Sequence, residues 1–232
     1  MTSFDAIFNQ ALDHHQYETI EARVPTVSSR DQLARIPDDR ILSAMARRIF
    51  SAGFRWSVVD AKWPGIEAAF DGFELARVAA YDAHSFDALR NDPRIIRHPG
   101  KITAILANAA ALQAVAREHG TAARWIAHWP EDDVVGLWHA LAQRFKMMGG
   151  ASGPWFLRSI GRDTFLLTPD VLQSLRAHGY YSGKGTGKRD QRAIQDQFNT
   201  WRAETGRSYA ALSTVLAAAT GPRPPSAGRS RD

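Results

Sequence analysis

The chain has 232 residues, a formal net charge of +5, 44% hydrophobic and 23% charged residues, and a pI near 9.8. This composition fits an ordinary globular protein with material for a sizeable core, and no apolar run reaches the roughly 18 residues of a membrane span. With no cysteine and eight scattered histidines, disulfides, thiolate catalysis and Cys-built metal sites are excluded, and neither metal nor other cofactor is expected. The opening MTSFDAIFNQALDHHQ has neither a basic nor an apolar leader segment, so a cytoplasmic protein is expected. The positive balance favours a polyanionic partner such as nucleic acid, although three arginines in the final GPRPPSAGRSRD supply part of it.

The chain reads as helical nearly throughout. Phe4, Ile7, Phe8, Ala11 and Leu12 form one stripe over residues 4–15. Asp38 or Asp39 is expected to cap the helix ILSAMARRIFSAG, which Gly53 ends. WSVVDAKW follows, and Pro64 is expected to open a separate short helix, PGIEAAF. ELARVAAY and SFDALRN precede the longest segment, which Pro99 opens and Gly120 closes. TAARWIAHW, DDVVGLWHALAQRF, DQRAIQDQFNTWRAE and YAALSTVLAAA complete the set. Only DTFLL suggests a strand. No period of 20–50 residues repeats. The expected fold class is all-α, a compact multi-helix array in one domain over residues 1–219, with 220–232 a disordered basic tail. GKGTGKRD, residues 183–190, has the wrong spacing for a phosphate loop and reads as a basic connection between helices.

Residues 137–178 carry more chemistry. LWHALAQRFKMM predicts a helix, GGASG breaks it, and Pro154 is expected to start a second helix. The start of that helix offers backbone N–H groups and the positive end of a dipole to a phosphate oxygen. Gly149, Gly150, Ser152 and Gly153 form the turn, and Arg144, Lys146, Arg158 and Arg162 flank it. Lys146 and Arg158 are the cationic side chains assigned to the DNA backbone, which such a turn holds without reading sequence. A plain helical corner with solvated charges is the alternative. Further on, Thr168 is a candidate N-cap, Pro169 a first helical residue, and Asp170 lies in the first turn. A carboxylate there is favoured by the dipole alone, but it can also stabilise an oxocarbenium-like sugar or orient a water. A hairpin followed about fifteen residues later by an acid resembles the helix-hairpin-helix DNA glycosylases. In many of these the turn reads Pro-Gly-Val-Gly, whereas Ala151 and Ser152 stand in the middle here.

DDRILSAMARRIFSAGFRWSVVDAKW, followed by FELARVAAYDAHSFDALRNDPRIIRHPGKITAILANAAAL, resembles the DNA-3-methyladenine glycosylase I family. The resemblance is densest over residues 38–112, where AGFRW, DPRIIRHPGKI and ILANA match its signature. It implies an all-α fold, double-stranded DNA containing a damaged base as the partner, and a nucleotide flipped into a pocket; no membrane association and a monomer are expected. Trp56 falls on the family's pocket tryptophan, where it would stack on the extruded base; a core tryptophan is the alternative. The family's structural zinc, held by two Cys and two His, cannot be built here, so the termini must be held otherwise, with the added N- and C-terminal helices as the expected means. The family's base-recognising glutamate aligns with Arg48. Arg48 shares a helical face with Ile41, Met45 and Ala52 and is expected to point inward, while Arg47, Arg40 and Ser43 are expected on the wet side. A buried guanidinium needs a partner, either a structural carboxylate or a ligand acceptor. An arginine opposes a cationic alkylated adenine and suits paired acceptors such as guanine O6 and N7.

Lyase chemistry needs an amine nucleophile on the second hairpin helix, and residues 150–183 contain no lysine. The sequence therefore predicts a monofunctional DNA glycosylase of base excision repair that removes a damaged purine hydrolytically. Its base pocket would hold Trp56 and Arg48, and Asp170 would be the catalytic acid. The alternative is a non-catalytic helix-hairpin-helix protein that binds damaged or structured DNA.

Overall fold

The computed structural model describes residues 3–221, so from residue 222 onward the expected basic tail lies outside the described residues. Among the described residues there are fourteen α-helices, one 3-10 turn at Asp71–Phe73, and no strand. In chain order the helices are α1 (Phe4–His14), α2 (Tyr17–Glu21), α3 (Arg30–Ala34), α4 (Asp38–Ser51), α5 (Trp56–Ala69), α6 (Leu75–Ala79) and α7 (Ala83–Asn91). They continue as α8 (Pro99–His119), α9 (Ala122–Ala127), α10 (Val134–Arg144), α11 (Ser152–Ser159), α12 (Pro169–Ala177), α13 (Lys188–Thr205) and α14 (Tyr209–Ala218). The all-α expectation holds. DTFLL is not a strand; instead Thr164, Phe165 and Leu166 are buried side chains on a non-helical connection.

The chain divides into two compact units, residues 26–164 and a second unit built from both ends, 1–25 with 165 onward. In the first unit α8 is the central element. It packs against α4, α6, α7 and α9, which is why Ile102, Ile105, Ala109, Leu112 and Val115 are all buried along its length. Burial of the Ile, Leu and Val side chains, each worth roughly 1.5–3 kcal/mol, adds to the high intrinsic propensity of an alanine-rich helix. Its start is fixed locally: the His98 ring accepts from the Lys101 N–H, and Pro99 occupies the first helical position. α4 lays Ile41, Leu42, Met45, Ala46, Ile49 and Phe50 into the same core.

Two sequence expectations about this region are corrected. Neither Asp38 nor Asp39 caps α4; Pro37 occupies the cap position, and Asp38 accepts from the Ala122 N–H at 2.9 Å, holding the start of α9. Burial raises the Asp38 pKa from its ordinary value, opposed by the backbone N–H groups of Ala122 and Ala123. Nor does Pro64 open a helix. It lies inside α5, which runs unbroken through both expected pieces, because the tertiary contacts of Val59 and Ile66 outweigh the loss of one backbone hydrogen bond.

The second unit joins the two ends of the described chain. α14 packs against α1, α2, α12 and α13. Phe4 meets Trp201 with ring centroids 5.3 Å apart, and Phe165 stacks on Phe198 at 4.3 Å. Gln10 donates to the Ala219 carbonyl at 3.0 Å, and Arg207 pairs with Glu21 at 2.9 Å. Aromatic and polar contacts thus tie the N-terminal helices to the C-terminal ones within this unit.

Candidate functional site

A cavity of about 370 Å³ opens in the first unit between three helices, a size suited to a small organic ligand. α4 contributes Arg40, Ser43, Arg47 and Arg48; α5 contributes Trp56 and Asp60; α11 contributes Trp155 and Ser159. Trp56 is the first residue of α5 and 49% exposed, so it is a cavity wall and not a core tryptophan. Trp155, which sequence reasoning did not single out, is 39% exposed and supplies a second indole.

The three arginines of the cavity are in different states. Arg40 is bonded to Glu67 at 2.7 Å, to Asp39 at 3.2 Å and to the Gly72 carbonyl. Arg47 is bonded to Asp60 at 2.5 Å and lies 5.3 Å from the Trp63 ring centroid. Ser43, expected on the wet side, is buried and donates to Glu67 at 3.1 Å. Arg40 and Arg47 keep the expected solvent exposure, at 41% and 44% of their side chains, while also lining the cavity with their charges already compensated. Arg48 is half-buried, and its Nε has no hydrogen-bond partner. No carboxylate among the described residues pairs with it, and burial lowers its pKa. Of the two partners the sequence left open, the structural carboxylate is not there.

The hairpin follows α10. The α10 helix stops at Arg144 and not after Met148, and α11 begins at Ser152, two residues before Pro154. The connection is held from inside. Asn108, fully buried on α8, accepts from the Lys146 N–H at 2.7 Å and donates to the Lys146 carbonyl at 3.0 Å. The ILANA motif thus supplies the clamp for the turn, a role missed in the sequence. Gly149 and Gly150 are exposed at the tip, Gly150 with φ +58°, and Ser152 is half-buried. Gly153 is buried, and a Cβ there would sit 3.0 Å from the Met148 carbonyl oxygen, so close packing favours glycine at this position.

The basic flank is thinner than the sequence suggests. Lys146 is exposed beside the turn. Arg158, assigned above to the DNA backbone, turns inward and donates to the Thr164 carbonyl at 2.6 Å. Burial pushes its pKa down to about 10, partly opposed by Asp163. Arg162 is buried and donates to the Trp129 carbonyl at 3.1 Å, and Arg144 bonds Glu118 at 2.9 Å. A buried arginine that holds backbone carbonyls is structural, because leaving them would orphan polar groups.

Lys101 was also missed. It is buried, and its Nζ donates to the carbonyls of Phe50 at 3.0 Å and Ala52 at 2.6 Å, closing the end of α4 next to the cavity. Burial lowers its pKa. Asp170 belongs to the second unit. Thr168 caps α12 by accepting from the Val171 N–H at 3.3 Å, Pro169 is its first residue, and Asp170 sits half-buried in the first turn. No group of metal-ligating side chains occurs among the described residues, and no helix of them is long and apolar enough to cross a membrane.

These helices, with their hairpin, define the class: the fold of the helix-hairpin-helix DNA glycosylases. Residues 34–146, just under half of the chain, match the family model described as methyladenine glycosylase. The matched segment includes Arg48, Trp56, Lys101 and Asn108 and ends just before the glycine turn. Among solved structures, 3-methyladenine DNA glycosylase I from Staphylococcus aureus is similar at 21% identity over 67% of this chain and 91% of its own, with a TM-score of 0.50. The 8-oxoguanine DNA glycosylase of Thermotoga maritima is similar at 16% identity over 92% and 95%, with a TM-score of 0.55. The 8-oxoguanine glycosylase/lyase of Methanocaldococcus jannaschii, in complex with DNA containing 8-oxoguanine, is similar at 13% identity over 91% and 93%, with a TM-score of 0.52. At these identities the structural likenesses establish the fold. Those to the 8-oxoguanine enzymes extend over both units.

Proposed function

We propose that this protein is a monofunctional DNA N-glycosylase that flips a damaged purine into the cavity between α4, α5 and α11 and releases it by hydrolysis. The observation that carries the reading is one cavity with two half-exposed indoles and an arginine that has no partner of its own. The indoles offer faces for a base taken out of the stack. Arg48 offers a guanidinium fork to acceptors on its edge. The exposed Gly149–Gly150 tip with Lys146 would hold the phosphates.

In the reaction, water attacks C1′ of the sugar as the bond to the purine nitrogen breaks. The electron pair leaves with the base, which takes up a proton, and an abasic site remains. Asp170 would stabilise the cationic sugar or orient the water. Lys101 is committed to two carbonyls and the second hairpin helix has no lysine, which supports a water mechanism over a lyase.

The base is a purine bearing carbonyl acceptors and not a cationic alkylated adenine, because Arg48 opposes positive charge. The 8-oxoguanine enzymes named above share the fold over more than nine-tenths of this chain, in keeping with this preference. The test is abasic-site formation, read by alkaline cleavage, on duplexes containing 8-oxoguanine or alkylated purines. Wild type should generate abasic sites, and Asp170→Asn should lose that activity while still binding DNA. Tight binding without any base release from the wild type would instead establish the non-catalytic DNA-binding protein.

A further inference from the structure

The first unit has a second cavity, which shares no residue with the one described above. It holds about 380 Å³ between the end of α8, α9 and the connection that follows, a volume sufficient for one small organic molecule. Arg124, Trp125, Trp129, Pro130 and two histidines, His119 and His128, form its wall, and no carboxylate among the described residues lines it. Trp125 is only 8% exposed, yet its Nε1–H meets no acceptor among the described residues. A buried donor left without a partner is costly, so it calls for one from outside the chain. Trp129 differs. Its Nε1–H is taken up by the Asp133 carbonyl at 2.8 Å, which fixes the ring and leaves its face for stacking. The two indoles stand edge to face, with centroids 5.7 Å apart at 84°. Arg124 is exposed, and its Nη1 lies over the Gly120 turn, 3.5 Å from where a Cβ would be. The nearby Arg144 and Arg30 are paired with Glu118 and Glu131, whereas Arg124 has no ion pair among the described residues.

We propose that this second cavity binds an unpaired nucleotide, its base against the indoles and its phosphate on Arg124. The wall offers hydrogen-bond donors, a cation and ring faces, but no anion. That set suits an aromatic ring carrying phosphate, where a planar guanidinium can take two oxygens at once. It disfavours an aromatic amino acid, whose ammonium would find no carboxylate. A free nucleoside monophosphate and the unpaired end of a DNA strand share this chemistry. The site is independent of the glycosylase reading, since the base cavity lies between other helices.

The test follows the indole N–H signals of the seven tryptophans by NMR of the whole protein, with single Trp→Phe variants assigning them. Addition of dAMP should shift the Trp125 and Trp129 signals and bind about tenfold tighter than deoxyadenosine, as one charge-assisted contact would give. Arg124→Gln, at an exposed position, should erase most of that preference while leaving deoxyadenosine binding and the melting temperature unchanged. A 5′-phosphorylated single-stranded decamer separates the two sources. Movement of the same signals at lower concentration than dAMP marks a strand end, and weaker or no movement marks a free mononucleotide. Trp125 and Trp129 signals that stay still at millimolar dAMP overturn the site, and so does equal affinity for dAMP and deoxyadenosine. Neither result bears on the excision assay, so the glycosylase reading stands or falls separately.

Discussion

Replacing Arg48 by glutamate is the sharpest perturbation of the base preference. Arg40 and Arg47 are neutralised by Glu67 and Asp60, so Arg48 is the cavity cation whose charge no carboxylate of the wall offsets. A positive base about 5 Å from the guanidinium, at an effective dielectric near 20, is opposed by ~3 kcal/mol. The cavity is open to water on one side, so screening brings this to roughly 1.5–3 kcal/mol, or about 10- to 100-fold in discrimination. Arg48→Glu should reverse the sign and improve 3-methyladenine relative to 8-oxoguanine by about 100-fold or more. Single-turnover rates of abasic-site formation on the two duplexes give this ratio, and quenching of Trp fluorescence by the free bases gives it independently of chemistry. If wild type releases 3-methyladenine as fast as 8-oxoguanine, and Arg48→Glu leaves the ratio unmoved, the electrostatic argument is wrong.

Three further outcomes follow from the geometry. Trp155→Ala should weaken retention of the flipped base by ~1–3 kcal/mol, as expected for one lost stacking face, read as a raised KM in steady-state excision. Arg158→Met should lower stability by about 1–3 kcal/mol through the orphaned Thr164 carbonyl while leaving the salt dependence of DNA binding unchanged; a shallower salt slope would return Arg158 to the phosphate contacts. Lys101→Met should cost about 2–3 kcal/mol by thermal or urea melting, because two carbonyls at the end of α4 lose their donor. Burial holds the folded Lys101 pKa below the ordinary 10.5, so the charged form is disfavoured in the folded state. Its cost is present below the folded value and is relieved as pH rises toward 10.5. The gap between wild type and Lys101→Met should therefore widen in that alkaline window.

The sequence marks those elements whose signals are local. Thr168-Pro169 starts α12, Pro99 starts α8 and Gly120 ends it, because a capping side chain, a fixed φ and a left-handed glycine act within a few residues. Trp56 and Arg48 were legible through the matched motif. What stayed hidden depends on distant partners. Asp38 looked like a cap for its own helix but serves α9, eighty-four residues away. Pro64 looked like a helix start but is carried by tertiary packing. Arg158 and Arg162 looked like a basic flank, and only the positions of Thr164 and Trp129 turn them inward. Lys101 and Asn108 did leave a trace: they stand seven residues apart on the face of α8 that also carries Ala104, Ile105 and Leu112. Polar side chains on an apolar stripe call for buried partners.

The second unit is assembled from both ends of the described chain, with residues 26–164 between its parts. During synthesis at ~5–20 residues per second, α1 and α2 precede α12 by roughly 140 residues, or ~7–30 s. Through that interval Phe4, Ile7 and Ile20 have no partner surface from α13 or α14. The nascent chain thus offers a short, early apolar segment to chaperones on the ribosome, while the stretch carrying the cavity can condense behind it.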